Sequence, residues 1–316
     1  MKYEIYRRCT LFTRSKKLSR RRKLEAQLWV FMIPAIVFFL VFHYAPMYGV
    51  LIAFKNYSIT KGIMASPWVG LKYFKRFVES SMFVLLLKNT LILSFYQILV
   101  TFPFPLILAL LLNHMRNKRV IKSVQTITYA PHFISLVVMS GMLFLFLSPS
   151  SGVVNSVIKN ITGGDSIYFM GESKYYRHIF VLLHVWQHTG YNAIIFLAAL
   201  TAVDPSHYEA AILDGASVWQ RIKNIDIPAI MPTLVTMLLL NVGKMLNVDT
   251  QKALLLQTPT NLDVSEIIGT YVYKIGLVNA QFSYSTAINL FQTVVNLVIL
   301  LIVNKISVKL TNESLW

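Results

Sequence analysis

Six apolar runs, each closed by polar residues, set the rhythm of this chain. They cover 28–48, 83–112, 124–147, 178–203, 230–246 and 286–303. Most approach the roughly 20 residues that a helix needs to cross a bilayer. The pattern predicts an all-α integral membrane protein with six transmembrane helices. The second run carries Pro103 and Pro105, and prolines inside a span predict a kink with freed backbone groups that need partners. The polar intervals predict a tail over 1–27, a first helix with its outer loop over 28–82, a core over 83–304 containing a polar island at 204–229, and a short tail over 305–316.

Composition agrees with that reading. Of 316 residues, 55% are hydrophobic and only 14% are charged, against about 25% charged in a soluble domain. A soluble globular protein is excluded. Lys and Arg outnumber Asp and Glu by 30 to 13, and ten of those cations lie between Lys2 and Lys23. With the N-terminus inside, the four inner segments (1–27, 113–123, 204–229 and 304–316) hold 18 Lys and Arg. The three outer ones hold ten in a longer total stretch. The positive-inside rule predicts both ends inside, N-in and C-in. Arg20, Arg21, Arg22 and Lys23 read as a juxtamembrane anchor and not as a nucleic-acid tail. The first apolar run is too long for a signal peptide and has no small-residue cleavage site after it. Cys9 is the single cysteine, so no disulfide can form within the chain and no cysteine cluster can hold a metal.

The island at 204–229 reads as helix, elbow, helix. Asp204 suits an N-cap and Pro205 the first helical position. Glu209, Ala210 and Ala211 favour helix, and Gly215 ends it. Val218 to Asn224 predicts a second short helix before Pro228 opens a new segment. The spacing Glu209-Ala210-Ala211, Gly215, Ile225, Ile227, Pro228, with Asp214 before the glycine, resembles the EAA loop of permeases of type I ABC importers. Ile227 stands where that family usually has Leu. His43 to Gly49, Ala53 to Lys55, Gly269 to Leu277, Phe282 to Ala287 and the ending Ser314-Leu315-Trp316 resemble the carbohydrate branch of those permeases, which imports polysaccharide fragments and oligosaccharides.

The resemblance carries expectations. It implies the type I ABC importer permease fold in a bacterial cell membrane. The EAA loop would be a cytoplasmic coupling helix that docks on an ATPase through Glu209, Ala210, Ala211, Asp214, Gly215, Ile225 and Pro228. Partners would be two ATP-binding subunits carrying ATP and Mg, a second homologous permease forming a heterodimer, and an extracytoplasmic solute-binding protein that delivers an oligosaccharide. The chain itself has no phosphate loop, no catalytic constellation and no obvious metal set, so it would be no enzyme and hold no cofactor. A permease for an amino acid, peptide or ion, or a polytopic membrane enzyme or receptor, remains the alternative.

Polar residues inside the apolar runs are candidates for a solute path. Thr90, Ser94, Gln97 and Thr101 share one helical face, as do Asn289, Gln292 and Asn296. His184, Gln187, His188, Tyr191 and Asn192 cluster in the fourth run, and Asn241 and Lys244 in the fifth. The path set is Gln97, Gln187, Tyr191, Asn192, Asn241, Lys244, Asn289 and Gln292. The competing reading is that such groups only join helices, and that Lys244 snorkels. His184 and His188 have the spacing of a metal pair but lack a third ligand.

Overall fold

The computed structural model describes residues 27–311, with side chains to Lys309. The basic tail and the ending Ser314-Leu315-Trp316 lie outside the described residues. Among the described residues every named element is a helix; one isolated bridge joins Lys55 and Trp68. The chain divides into two compact units between Val69 and Gly70.

The first unit is dominated by α1 (Gln27–Phe54), long and apolar enough to cross a membrane. It widens just before Pro46, in a π turn over Leu40–Tyr44, and tightens after it, in a 3₁₀ turn over Tyr48–Phe54 that contains Gly49. Phe54 then stacks on Trp68 at 5.8 Å, and Lys55 Nζ donates to the Ile63 carbonyl at 2.8 Å.

The second unit begins with α2 (Lys72–Val78), followed by α3 (Met82–Thr101) and α4 (Pro103–His114). The last two form one apolar rod of 33 residues, interrupted at Phe102, just ahead of the first proline. Phe77 anchors α2, its ring 5.6 Å from Phe291 on the last helix. Next come α5 (Lys118–Tyr129), α6 (Leu136–Phe146), α7 (Val153–Thr162) and the 29-residue α8 (Ser173–Thr201). After α9 (Pro205–Leu213), α10 (Val218–Ala229) and α11 (Met231–Gly243), the chain forms α12 (Thr250–Leu256), α13 (Ile268–Val278) and α14 (Phe282–Thr311).

Two predicted spans are not single helices. The run 124–147 is broken: the helix ending at Phe133 and α6 meet at 103°. Pro131 sits in a 3₁₀ turn there, and Ser135 caps α6 by accepting from the Val138 N–H. A side chain that caps a helix start inside an apolar run also ends the helix before it. The fifth run bends by 65° between α10 and α11. Pro228 was expected from sequence to open a new segment, and it does not. The helix from Val218 passes through it to Ala229, because a π turn at Ile222–Asp226 relaxes the preceding turn. Three helices, α1, the α3–α4 rod and α14, are each long and apolar enough to span; counting the two bent pairs gives five. Helix α8 has the length, but Arg177, His178, His184, Gln187 and His188 keep it outside that apolar class. The stretch 247–285, expected from sequence to be an outer loop, is largely helical.

Helix α8 is the axis of packing. Phe180 and Leu183 sit in a buried cluster with Leu93, Met139, Leu256 and Ile267. Further along, Ala193, Phe196 and Leu200 close on Ala109 and Leu110 of α4 and on Ile230 at the α10–α11 bend. Gly190 lies against α5 so closely that a Cβ there would stand 2.1 Å from the Thr128 carbonyl oxygen.

Candidate functional site

The island at 204–229 is a helix–elbow–helix. Asp204 caps α9, its carboxylate accepting from the Ser206 N–H at 2.9 Å, and that bond holds its pKa below the ordinary carboxylate value. Helix α9 ends in a Schellman arrangement. The Ala216 N–H reaches the Ala211 carbonyl at 2.8 Å, the Gly215 N–H reaches that of Ile212 at 3.0 Å, and Gly215 has φ +74°. Ser217 and Gln220 then cap α10 reciprocally, at 2.7 and 3.3 Å. Two stiff short helices therefore meet at a sharply defined corner.

Glu209, Ala210, Asp214 and Gly215 are exposed, Ala211 and Ile225 half-buried, and Pro228 exposed. Around the corner, Leu213 is 89% exposed and Trp219 70%, with Ile212 and Val218 beside them. Exposed apolar side chains gathered at the tip of a polar loop have the character of an interaction site. Sequence spacing had singled out only the motif residues; Leu213 and Trp219 read there as ordinary apolar positions. Asp226 was also missed. It is fully buried, accepting from the Tyr208 hydroxyl at 2.5 Å and paired with His114 Nε2 at 2.6 Å. Burial, then this bond to Asp226, pushes the Tyr208 hydroxyl pKa up to about 12.

The eight predicted path residues separate into groups. Asn192, Asn241 and Lys244 come together with Thr101 and His184 around a cavity of about 230 Å³ between the α3–α4 break, α8 and α11. Asn289 and Gln292 line a second cavity of about 590 Å³, with Asn247, Thr250 and Tyr273. Gln97, Gln187 and Tyr191 line neither. The Tyr191 ring stacks on His132 at 3.8 Å, and Gln187 Nε2 donates to the Ile134 carbonyl at 3.1 Å. Gln292 has two roles, since its Nε2 also donates to the Leu246 carbonyl at 2.6 Å. Asn296 accepts from the Leu246 N–H at 3.0 Å, and Asn89 donates to the carbonyls of Asp263 and Glu266. These amides close the backbone where helices break, as a low-dielectric setting demands. His184 Nδ1 lies 3.2 Å from Nζ of the buried Lys252, which also sits 3.9 Å over the Phe180 ring.

Comparison with known proteins gives a consistent set of similarities. Residues 88–311 match the family described as "Binding-protein-dependent transport system inner membrane component". The chain is 40% identical over 308 residues to Protein LplB of Bacillus subtilis (strain 168), covering 97% of this chain and 96% of the relative. It is 40% identical over 306 residues to the polygalacturonan/rhamnogalacturonan transport system permease protein YteP of the same organism, covering 95% of each. Among solved structures it is similar to a chain of a bacterial ABC transporter involved in the import of the acidic polysaccharide alginate. That likeness has a TM-score of 0.84 and 38% identity, and covers 93% of this chain and 99% of the other. A chain of the alginate ABC transporter in complex with its alginate pentasaccharide-bound periplasmic protein has the same TM-score and identity.

Proposed function

The chain belongs to the binding-protein-dependent transport system inner membrane components, and from that membership we propose that it forms half of the translocation path for an acidic carbohydrate fragment. As a member of that family it is a membrane permease subunit of an ABC importer and not itself an enzyme. In the proposed assembly a second permease completes the path, two ATP-binding subunits carry ATP and Mg, and an extracytoplasmic protein delivers the cargo. The loop at 204–229 docks on an ATPase through the corner at Gly215, with Glu209, Ala210, Ala211, Asp214, Ile225 and Pro228 shaping it. The observation that carries this reading is the stiff, apolar-tipped corner, a shape that a solvated connector has no reason to hold. Reconstitution with the partner subunits, followed by a screen of glycans for stimulated ATP hydrolysis, tests it. Stimulation by neutral glycans alone would remove the acidic cargo, and stimulation by none would remove carbohydrate.

Two supporting features favour a carbohydrate acid. One relative named above is a polygalacturonan/rhamnogalacturonan transport permease, and the similar solved structure is of a transporter that imports alginate. Lys244 also places a cation, without an ion-pair partner among the described residues, at the cavity it shares with Asn192 and Asn241. Amides serve sugar hydroxyls and a cation serves a uronate. Lys244→Gln is expected to lower uptake of an acidic fragment about tenfold, the worth of one charge-assisted hydrogen bond, while the complex still assembles. Gln187→Ala and Gln292→Ala are expected to lose assembly first, because each leaves a backbone carbonyl unpaired. Full uptake with Lys244→Gln would move the path elsewhere.

We also propose six crossings with both ends cytoplasmic. In a Cys9→Ser background, single cysteines at Thr60, Asn160 and Thr260, all exposed, should react with an impermeant thiol reagent from outside. One at Asn117 should react only after permeabilisation. A reversed pattern at any position breaks the topology.

A further inference from the structure

Asp226 is the one carboxylate on the loop that faces inward, and it joins two other elements to its own. Tyr208 on α9, before the corner, donates to its Oδ1 at 2.5 Å. His114, at the end of α4, holds its Oδ2 at 2.6 Å. Asp226 itself belongs to α10, after the corner. Asn113 adds a longer contact to the Tyr208 hydroxyl at 3.5 Å, and the His114 and Tyr208 rings meet edge to face at 6.2 Å. The His114 side chain is 12% exposed and that of Asp226 is not exposed at all. An ionisable group so deeply placed is costly unless its lone pairs are satisfied, and here both oxygens are.

The backbone is bent to put it there. Ile227 donates to Ile222, five residues back, which is the π turn spanning Ile222–Asp226. One extra residue in the turn rotates the next stretch of helix by about 100° around its axis. The rotation brings Asp226 under α9 and against α4, while Lys223 and Asn224 stay exposed.

We propose that Asp226 is the positioning residue that fastens both arms of the loop to the inner end of α4, so that a push on the corner moves that helix. This rests on the coupling role given to the loop above. Helix α4 then carries the movement along about 18 Å to its start at Pro103, where Thr101, Phe102 and Pro105 border the smaller cavity. One carboxylate thus joins the docking corner to the wall of the path.

The test uses the complete transporter in proteoliposomes and reads solute taken up per ATP hydrolysed. Asp226→Ala and His114→Ala should each lower that ratio about tenfold, within the ordinary span of coupling free energies, with the ATPase subunits still bound. The exchange His114→Asp with Asp226→His should recover most of the ratio, which a purely architectural role would not. If an alanine variant fails to insert, Tyr208→Phe decides, with an expected fall of about threefold for one lost hydrogen bond. An unchanged ratio in the variants that insert, or an exchange variant no better than the two losses combined, overturns the proposal. Failure of the loop's role looks different: Gly215→Val and Glu209→Lys would then transport normally. Failure of the fastening alone leaves those two inactive.

Discussion

Gly215→Val is expected to abolish solute uptake while the protein still inserts, and Glu209→Lys to do the same by a different route. Gly215 has φ +74°, and a Cβ there would meet nothing within 4 Å. The obstacle is therefore conformational and not steric. A left-handed backbone costs an L-residue about 1–2 kcal/mol, and a β-branched side chain is the poorest fit. Valine would open the Schellman corner and let the two arms splay, moving Leu213 and Trp219 off their common tip. Asparagine tolerates this region, so Gly215→Asn should retain most uptake; that ordering separates the corner's geometry from a need for small size. Glu209 is exposed and makes no ion pair among the described residues, so its charge is free for a partner. Reversal to lysine turns attraction into repulsion across a docked interface, where like charges cost several kcal/mol. The measurements are uptake, binding-protein-stimulated ATP hydrolysis, and co-purification of the ATP-binding subunits. More than about a tenfold loss of uptake is expected for both, together with lost stimulation or lost subunits. Wild-type values in both would leave the loop as a solvated connector.

Gly190→Val should be the most damaging single change to the fold. Its Cβ would lie 2.1 Å from the Thr128 carbonyl oxygen and 2.4 Å from the carbonyl carbon. Those are backbone atoms of α5, already tied into their own helix, so nothing nearby can rotate away. Close helix crossings in membranes depend on small residues of this kind. Forcing α5 and α8 apart should cost about 1–3 kcal/mol or more. It would also pull His132 and Tyr191, stacked across the same crossing, out of register. Gly243 is a milder case, because a Cβ there meets the flexible tip of Leu300 at 2.9 Å. Gly141, with nothing within 4 Å of its Cβ, is the control and should accept Ala without loss. Thermal melting of purified protein in detergent reads the order. A Gly190→Val protein as abundant and as heat-resistant as the Gly141→Ala control would contradict the packing described.

The loop was legible because its signals are local. Asp204, Pro205 and Gly215 act on near neighbours in the chain, and spacing alone predicts a cap, a first turn and a stop. The apolar runs were legible because hydrocarbon demands length. The breaks within them were not. Ser135 ends a helix inside an apolar stretch by bonding the Val138 N–H, yet in sequence it reads as a tolerated small polar residue. The polar stripes were only partly legible for a related reason. Spacing put Gln187, Gln292 and Asn241 on helical faces but could not say what each face meets. Gln187 reaches a carbonyl 53 residues earlier and Gln292 one 46 residues earlier; Asn241 faces a cavity. Asp226 occupies an unconstrained position between Ile225 and Ile227. Only the π turn shows that it points inward, and a π turn has no composition of its own.

The amides that close the broken helices also impose an order of manufacture. The ribosome delivers Leu246 before the residues that complete it, Gln292 and Asn296 on the last helix. At about 5–20 residues per second, the wait for Gln292 is roughly two to nine seconds. Through that interval the fifth apolar run offers only the 13 helical residues of α11, about 20 Å of helix against a hydrocarbon core of about 30 Å, and its frayed end has unmet backbone groups. Such a segment is too short to span comfortably by itself. A chain truncated between the fifth and sixth runs is therefore expected to be recovered from the membrane in lower yield than the full-length protein.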